Sequence, residues 1–173
     1  MSTDDADRLQ AAIQLATEAH RGQYRKYTGE PYVIHPIRVM LSLANESVDV
    51  QIAAVLHDTV EDTSVILSMV EAMFGTEVER LVDALTRREG ERYRDFIDRI
   101  IEAGRDAILL KLADVEDNMR NGTEARRDRY SKSYNRLQDA LRVELLNAGA
   151  IRLDEGIEWV RGWVRGPNAT ATT

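Results

Sequence analysis

The residues able to do chemistry are few, and they cluster. The chain has three histidines, His20, His35 and His57, and no cysteine. In the stretch "AAVLHDTVEDT", His57-Asp58 ends the apolar run Ile52-Ala53-Ala54-Val55-Leu56, and Glu61-Asp62 follow one turn later. Where such a run points into a core, a charged carboxylate is costly unless it is paired or metal-bound. Asp114 repeats the situation, because "AILLKLAD" also runs apolar into an aspartate. His35 closes a glycine- and proline-rich loop just before Pro36. Two imidazoles and two carboxylates are a ligand set suited to a divalent transition metal with positions left open for water. A lone histidine near an apolar face is more often a packed, hydrogen-bonded residue, and charge-rich helices gather such groups without a ligand. Spacing alone therefore leaves both a metal centre and a solvated cluster open.

The elements that must position these residues read as helices almost throughout. Asp4 or Asp5 can cap a first helix whose apolar face includes Leu9, Ile13 and Ala16, ending near Arg21-Gly22. "GQYRKYTGEPYVIHP" is an ordered loop by its glycines and prolines. Pro36 suits the first turn of a second helix, "PIRVMLSLA". A third helix is predicted over roughly 48 to 60. A fourth, "SVILSMVEAMFG", is capped by Thr63 or Ser64 and ended by Gly75. "TEVERLVDALTRR" and "ERYRDFIDRIIEAG" flank Gly90, and "RDAILLKLADVEDNMRNG" repeats Ile108, Leu109 and Leu112 at helical spacing. A long helix carries Leu137, Leu141 and Leu145 on one stripe. A last one, "LDEGIEWVRGWV", places Leu153, Ile157, Val160 and Val164 on one face. No strand, internal repeat or linker stands out, so the pattern predicts an all-α bundle. One domain over 1–165 and a frayed, disordered tail over 166–173 complete the expected organisation.

Composition narrows the function classes. The net charge is −7 and the isoelectric point near 5.1, so the surface as a whole repels nucleic acid, and an anionic ligand needs a local basic patch. No apolar run approaches the ~20 residues needed to cross a bilayer, and "MSTDDADRLQ" lacks the regions of a signal peptide, so no membrane contact is expected. Without cysteine there can be no disulfide, thiolate metal site or cysteine nucleophile, and the cytoplasm is the expected location. The sequence carries no signal for an oligomeric state.

The segments "GEPYVIHP", "AAVLHDTVEDT" and "KLADVEDNMR", in that order, together with "FGTEVERLVDALT", resemble the HD-domain hydrolase region of the RelA/SpoT family. The resemblance covers roughly residues 9 to 120 and is nearest to the family's single-domain members, the small alarmone hydrolases. It implies an all-α HD-domain bundle with no length left for a synthetase domain. It also implies roles. His35, His57, Asp58 and Asp114 match the four residues that hold one Mn²⁺ in the family. Glu61 and Asp62 match its "ED" pair, which handles the nucleophilic water and proton transfer. Arg25 and Lys26 match its "RK" pair at the nucleotide's base and phosphates, and Asn118 matches an asparagine at the ribose. His20 matches a position outside the metal set and is expected to be structural. By their spacing alone, Tyr130 and Tyr134, one turn apart, could stack on a base, with core packing the expected reading.

The chain departs from the family in two places. "RKYTGEPY" makes the loop one residue longer than in many bacterial members, which bears on the register of Arg25 and Lys26. Where many relatives have "LADRLHNMRTL", this chain has "LADVEDNMRNG", with Asp117 in place of a histidine. That departure is expected to bear on base and ribose recognition and to leave metal binding untouched.

The implied reaction is Mn²⁺-dependent hydrolysis of a guanine nucleotide alarmone, guanosine 3′,5′-bis(diphosphate) or its pentaphosphate relative, at the 3′ position. The products would be pyrophosphate and GDP or GTP, with Arg25, Lys26 and also Arg21 offsetting the substrate's charge. Two other readings stay open. One is a related nucleotide phosphohydrolase, with removal of the 2′-phosphate of NADPH the nearest in chemistry. The other is a nucleotide-binding regulatory module without catalysis, against which the intact set of His35, His57, Asp58, Glu61, Asp62 and Asp114 argues.

Overall fold

A computed structural model describes residues 1–120 and 123–150, apart from the side chain of residue 126. The expected last helix around Leu153–Val164 and the expected tail lie outside the described residues. Nine helices are present among the described residues: α1 (Thr3–Ala19), α2 (Ile34–Ser42), α3 (Val48–Leu56), α4 (Thr59–Asp62), α5 (Leu67–Phe74), α6 (Thr76–Leu85), α7 (Tyr93–Glu102), α8 (Arg105–Arg120) and α9 (Glu124–Asn147). The only extended pairing among them is an isolated bridge between Tyr24 and Pro31 in the loop before α2.

The core is built around α3 and α8. Along α3, Ile52, Ala53, Ala54, Val55 and Leu56 are all fully buried, so the second half of this helix is apolar on every side and must be surrounded. It packs against α1, α2, α6 and α8. On α8, Ala107, Ile108, Leu109, Leu110, Leu112, Ala113 and Val115 are buried against α2, α6, α7 and α9. Leu137, Leu141 and Leu145 form the buried stripe of α9, as their spacing predicts. Both central helices therefore carry their polar motif residues into the interior. Ile108→Ala, at a fully buried position, is expected to cost about 2–5 kcal/mol of stability, read from chemical denaturation.

Local chemistry moved some boundaries. Ser2, not Asp4 or Asp5, caps α1: its hydroxyl accepts from the Asp5 N–H, and the Asp5 carboxylate accepts from the Ser2 N–H, a closed capping box. The expected helix over 48–60 breaks at His57-Asp58. Side chains explain how the break is tolerated: His57 Nδ1 donates to the Ala54 carbonyl and Thr59 Oγ1 to that of Leu56, two acceptors that the end of α3 would otherwise leave bare. Thr63 does not cap α5, which begins at Leu67. Its hydroxyl instead donates to the Thr59 carbonyl, accepts from the Val65 N–H and so closes α4. Gly75 ends α5 as expected, with a φ of 93° that a side chain would disfavour.

Candidate active site

Three helices bring the motif residues together. His35 sits in the first turn of α2, His57 and Asp58 in the break after α3, and Asp114 midway along α8. His35 Nε2 lies 3.2 Å from Asp114 Oδ1 and 3.6 Å from Asp58 Oδ2. His57 Nε2 lies 3.1 Å from Asp58 Oδ1 and 3.8 Å from Asp114 Oδ1. Ligand atoms of His35, His57 and Asp58 all fall within 4.8 Å of one another.

The outer nitrogens of both rings are already engaged. His57 Nδ1 is bonded to the Ala54 carbonyl, and His35 Nδ1 lies 2.7 Å from Asp117 Oδ2. A neutral imidazole that donates from Nδ1 keeps a lone pair on Nε2, so both rings can present acceptors to the same point. His57 Nε2 is buried and has no hydrogen-bond partner. With its proton displaced, this nitrogen beside two carboxylates completes a donor set that fits a divalent cation.

Asp114 is anchored from its own helix. Lys111 Nζ donates to Oδ2 at 2.8 Å and Asn118 Nδ2 to Oδ1 at 2.5 Å. Burial alone would raise the pKa of Asp114, but Lys111 and the two histidines outweigh it and hold the carboxyl well below its ordinary range. Asp58 is likewise held low against burial, chiefly by His57. Burial opposes protonation of His57, yet Asp58 and Asp114 prevail and raise its pKa to about 10. The group as a whole is poised for positive charge, supplied by protons or by a metal.

Glu61 and Asp62 lie on α4, accessible to solvent, in a cleft of about 890 Å³ that His35, Asp58 and Asp114 also line. Partial burial raises the pKa of both carboxyls, and the nearby Asp58 adds to the effect. Tyr32 donates to Asp58 Oδ2 at 2.8 Å and lies 3.0 Å from Asp62 Oδ2, bridging the two groups. The backbone N–H of Arg87 donates to Glu61 Oε2 at 3.0 Å.

The opposite charge is local. Arg25, Lys26, Arg87, Lys111 and Arg129 line this cleft of an otherwise acidic protein. Arg25 donates to Asn118 Oδ1 at 2.7 Å and stands over the Tyr32 ring, while Lys26 stands over Tyr27. The loop that carries them is closed by an Arg25 N–H bond to the Glu30 carbonyl and a Gly29 N–H bond to that of Arg25. Gly29 makes this turn with a φ of 71°. Arg21 is paired with Glu18 and is not among the residues lining the cleft.

Sequence reasoning placed His35, His57, Asp58, Asp114, Glu61, Asp62, Arg25, Lys26 and Asn118 in one site, and all of them line or border this cleft. It missed Tyr32, which lies inside the motif "GEPYVIHP", and Lys111, whose spacing of three from Asp114 on a helix was the available signal. Of the two tyrosines expected in the core, Tyr134 packs against it, but Tyr130 lines the cleft. Asp117 is not among the cleft residues; it is buried against His35 and Arg38. His20, expected to be structural, is buried, stacks on Tyr32 at 4.7 Å and hydrogen-bonds Gln23, whose amide reaches the Asp62 carbonyl. No helix among the described residues is long and apolar enough to cross a membrane.

Known proteins resemble this chain in sequence and fold. The pattern of the HD domain matches residues 12–139. A guanosine-3′,5′-bis(diphosphate) 3′-pyrophosphohydrolase of Aquifex aeolicus is 42% identical over 66% of this chain, and the bifunctional (p)ppGpp synthase/hydrolase SpoT of Escherichia coli 37% identical over 68%. The chain spans only 18% of the length of either. The Danio rerio protein MESH1, named for the same hydrolase activity, is 34% identical, with 94% of this chain matched to 85% of its own length. A solved metazoan orthologue of SpoT, described as hydrolysing ppGpp and acting in starvation responses, superposes with a TM-score of 0.67 at 34% identity, covering 79% of this chain and 86% of that one. A shared motif order, a shared fold and a match along nearly the whole of a relative leave one assignment: this chain belongs to the HD-domain family, within its RelA/SpoT-type hydrolase branch.

Proposed function

We propose that this chain is a cytoplasmic, Mn²⁺-dependent hydrolase of guanosine 3′,5′-bis(diphosphate) or its pentaphosphate relative, acting at the 3′ position. The observation that carries the reading is the convergence of two buried Nε2 atoms, each with its Nδ1 already engaged, on the carboxylates of Asp58 and Asp114. His35, His57, Asp58 and Asp114 would hold the cation. A cation bound there lowers the pKa of a water and polarises a phosphate oxygen.

The chain's own residues supply the rest. Asp62 and Glu61 stand beside the metal set with burial raising both pKa values, a direction that favours groups taking a proton from water and returning it. Water oxygen adds to the phosphorus attached to the ribose 3′ oxygen. The bond between them breaks, and the 3′ oxygen leaves with a proton delivered from this pair. GDP and pyrophosphate result. Tyr32, donating to Asp58, keeps that carboxylate turned toward the histidines. Arg25 and Lys26 attract the diphosphates, with Arg87 and Arg129 adding to the field of the cleft. Asn118, held between Arg25 and Asp114, is the residue assigned to a ribose hydroxyl.

Arg25→Ala is expected to raise KM about tenfold or more while the metal content stays unchanged, because a charge-assisted contact contributes roughly 1.5–3 kcal/mol. Initial rates and elemental analysis of the purified variant check both halves. The reading as a whole is tested by a substrate panel with Mn²⁺. Turnover of the bis(diphosphate) is expected, with NADPH far slower. An inert bis(diphosphate) beside rapid release of orthophosphate from NADPH would replace the alarmone reading. Binding of nucleotide without turnover of either would favour a regulatory module.

A further inference from the structure

Asp117 is a buried aspartate whose carboxylate is held by two side chains of α2. It lies three residues after Asp114 on α8 and is 5% exposed. A carboxylate so buried is costly unless its oxygens are occupied. Oδ2 lies 2.7 Å from His35 Nδ1, and Oδ1 and Oδ2 accept from Arg38 Nε at 2.6 Å and from the Arg38 terminal nitrogen at 3.0 Å. Arg38 follows His35 by three residues on α2, so one helix presents both partners on one face. The far side of the Arg38 guanidinium is held by Glu30 at 2.8 and 3.1 Å. The carboxylate is therefore fixed on three sides.

We propose that Asp117 is a positioning residue for the metal centre: it accepts the Nδ1 proton of His35, fixes the ring's orientation and tautomer, and so directs the Nε2 lone pair at Asp58 and Asp114. The inference rests on the metal reading above but not on the identity of the substrate. The two histidines differ in what backs them. His57 donates from Nδ1 to the neutral carbonyl of Ala54, whereas His35 has an anion behind it. A carboxylate in that place makes the imidazole a stronger donor, and losing such an outer partner typically weakens metal binding about 10–100-fold. Arg38 and Glu30 keep the carboxylate from turning away and link it to the loop that carries Arg25.

The test is Mn²⁺ titration of the full chain, with free Mn²⁺ followed by its electron paramagnetic resonance signal. Asp117→Asn keeps shape and an acceptor oxygen but loses the charge, and about tenfold weaker binding is expected. Asp117→Ala loses the acceptor as well, and a loss near 100-fold is expected. The ¹⁴N couplings of bound Mn²⁺, read by pulsed resonance, should change in both. A merely structural role would lower the melting temperature of the metal-free chain and leave affinity and couplings alone. Parent-like affinity and couplings in a folded Asp117→Asn overturn the proposal, and that variant decides by itself if Asp117→Ala does not fold. A parent chain that binds no Mn²⁺ would bring down the metal reading and this proposal together.

Discussion

Replacing His57 with alanine is expected to abolish stoichiometric metal binding and, with it, turnover. The ring supplies an Nε2 that no protein group satisfies, at the point where Asp58 and Asp114 meet. Without it the remaining donors are one imidazole and two carboxylates, and affinity should fall by more than the ~10²-fold that loss of an outer partner can already cause. Asp58→Ala should behave alike, since its two oxygens face the two different histidines. Elemental analysis after desalting gives metal per chain, circular dichroism shows whether the helices persist, and rates are taken with added Mn²⁺. A folded His57→Ala chain with full metal content and parent activity would remove His57 from the centre. Full activity of the parent after exhaustive chelation would remove the centre itself.

The second large effect separates proton transfer from metal binding. Glu61→Gln and Asp62→Asn preserve size and abolish the charge and basicity of each carboxylate. Neither residue is in the group of ligand atoms that converge; Glu61 accepts from the Arg87 N–H, and Asp62 lies beside the Tyr32 hydroxyl that it shares with Asp58. Metal content should therefore stay at the parent level. The chemical step should slow by the ~10²–10⁴-fold typical of lost general acid–base catalysis. Single-turnover measurements with metal-loaded protein isolate that step from product release. Should either variant react at the parent rate, that residue has no part in moving protons.

Much of this was legible before any coordinates. The all-α bundle followed from period-3.6 patterns, and the continuous apolar run of α3 marked it as central. A candidate cluster stood out because aspartates at the ends of apolar helical runs conflict with burial unless something positive meets them, and the resemblance to the family made it a candidate metal set. Tertiary hydrogen bonds were harder to read. The break at His57-Asp58 depends on side chains turning back to cover the carbonyls of Ala54 and Leu56, and no periodicity reports that. The cap on α1 went to Ser2 because only Ser2 has an acid three residues later that can reach back to its N–H. Asp117 was the hardest residue to read. On sequence alone it was a departure near a nucleotide-binding motif. Its meaning came from Arg38 and His35, 79 and 82 residues away along the chain, whose positions depend on how α2 packs against α8.

The central claim is that a metal-bearing cleft directs water to the phosphorus next to the ribose 3′ oxygen. The most direct measurement follows the reaction of guanosine 3′,5′-bis(diphosphate) with Mn²⁺-loaded protein in ¹⁸O-enriched water, with products identified by ³¹P nuclear magnetic resonance and mass spectrometry. The account predicts GDP and pyrophosphate in equal amounts, with one ¹⁸O in the pyrophosphate and none in the GDP. Release of orthophosphate would contradict it, because the terminal phosphate would then be the group attacked. Label in the ribose 3′ hydroxyl of GDP would contradict it equally, because water would then have attacked carbon rather than phosphorus.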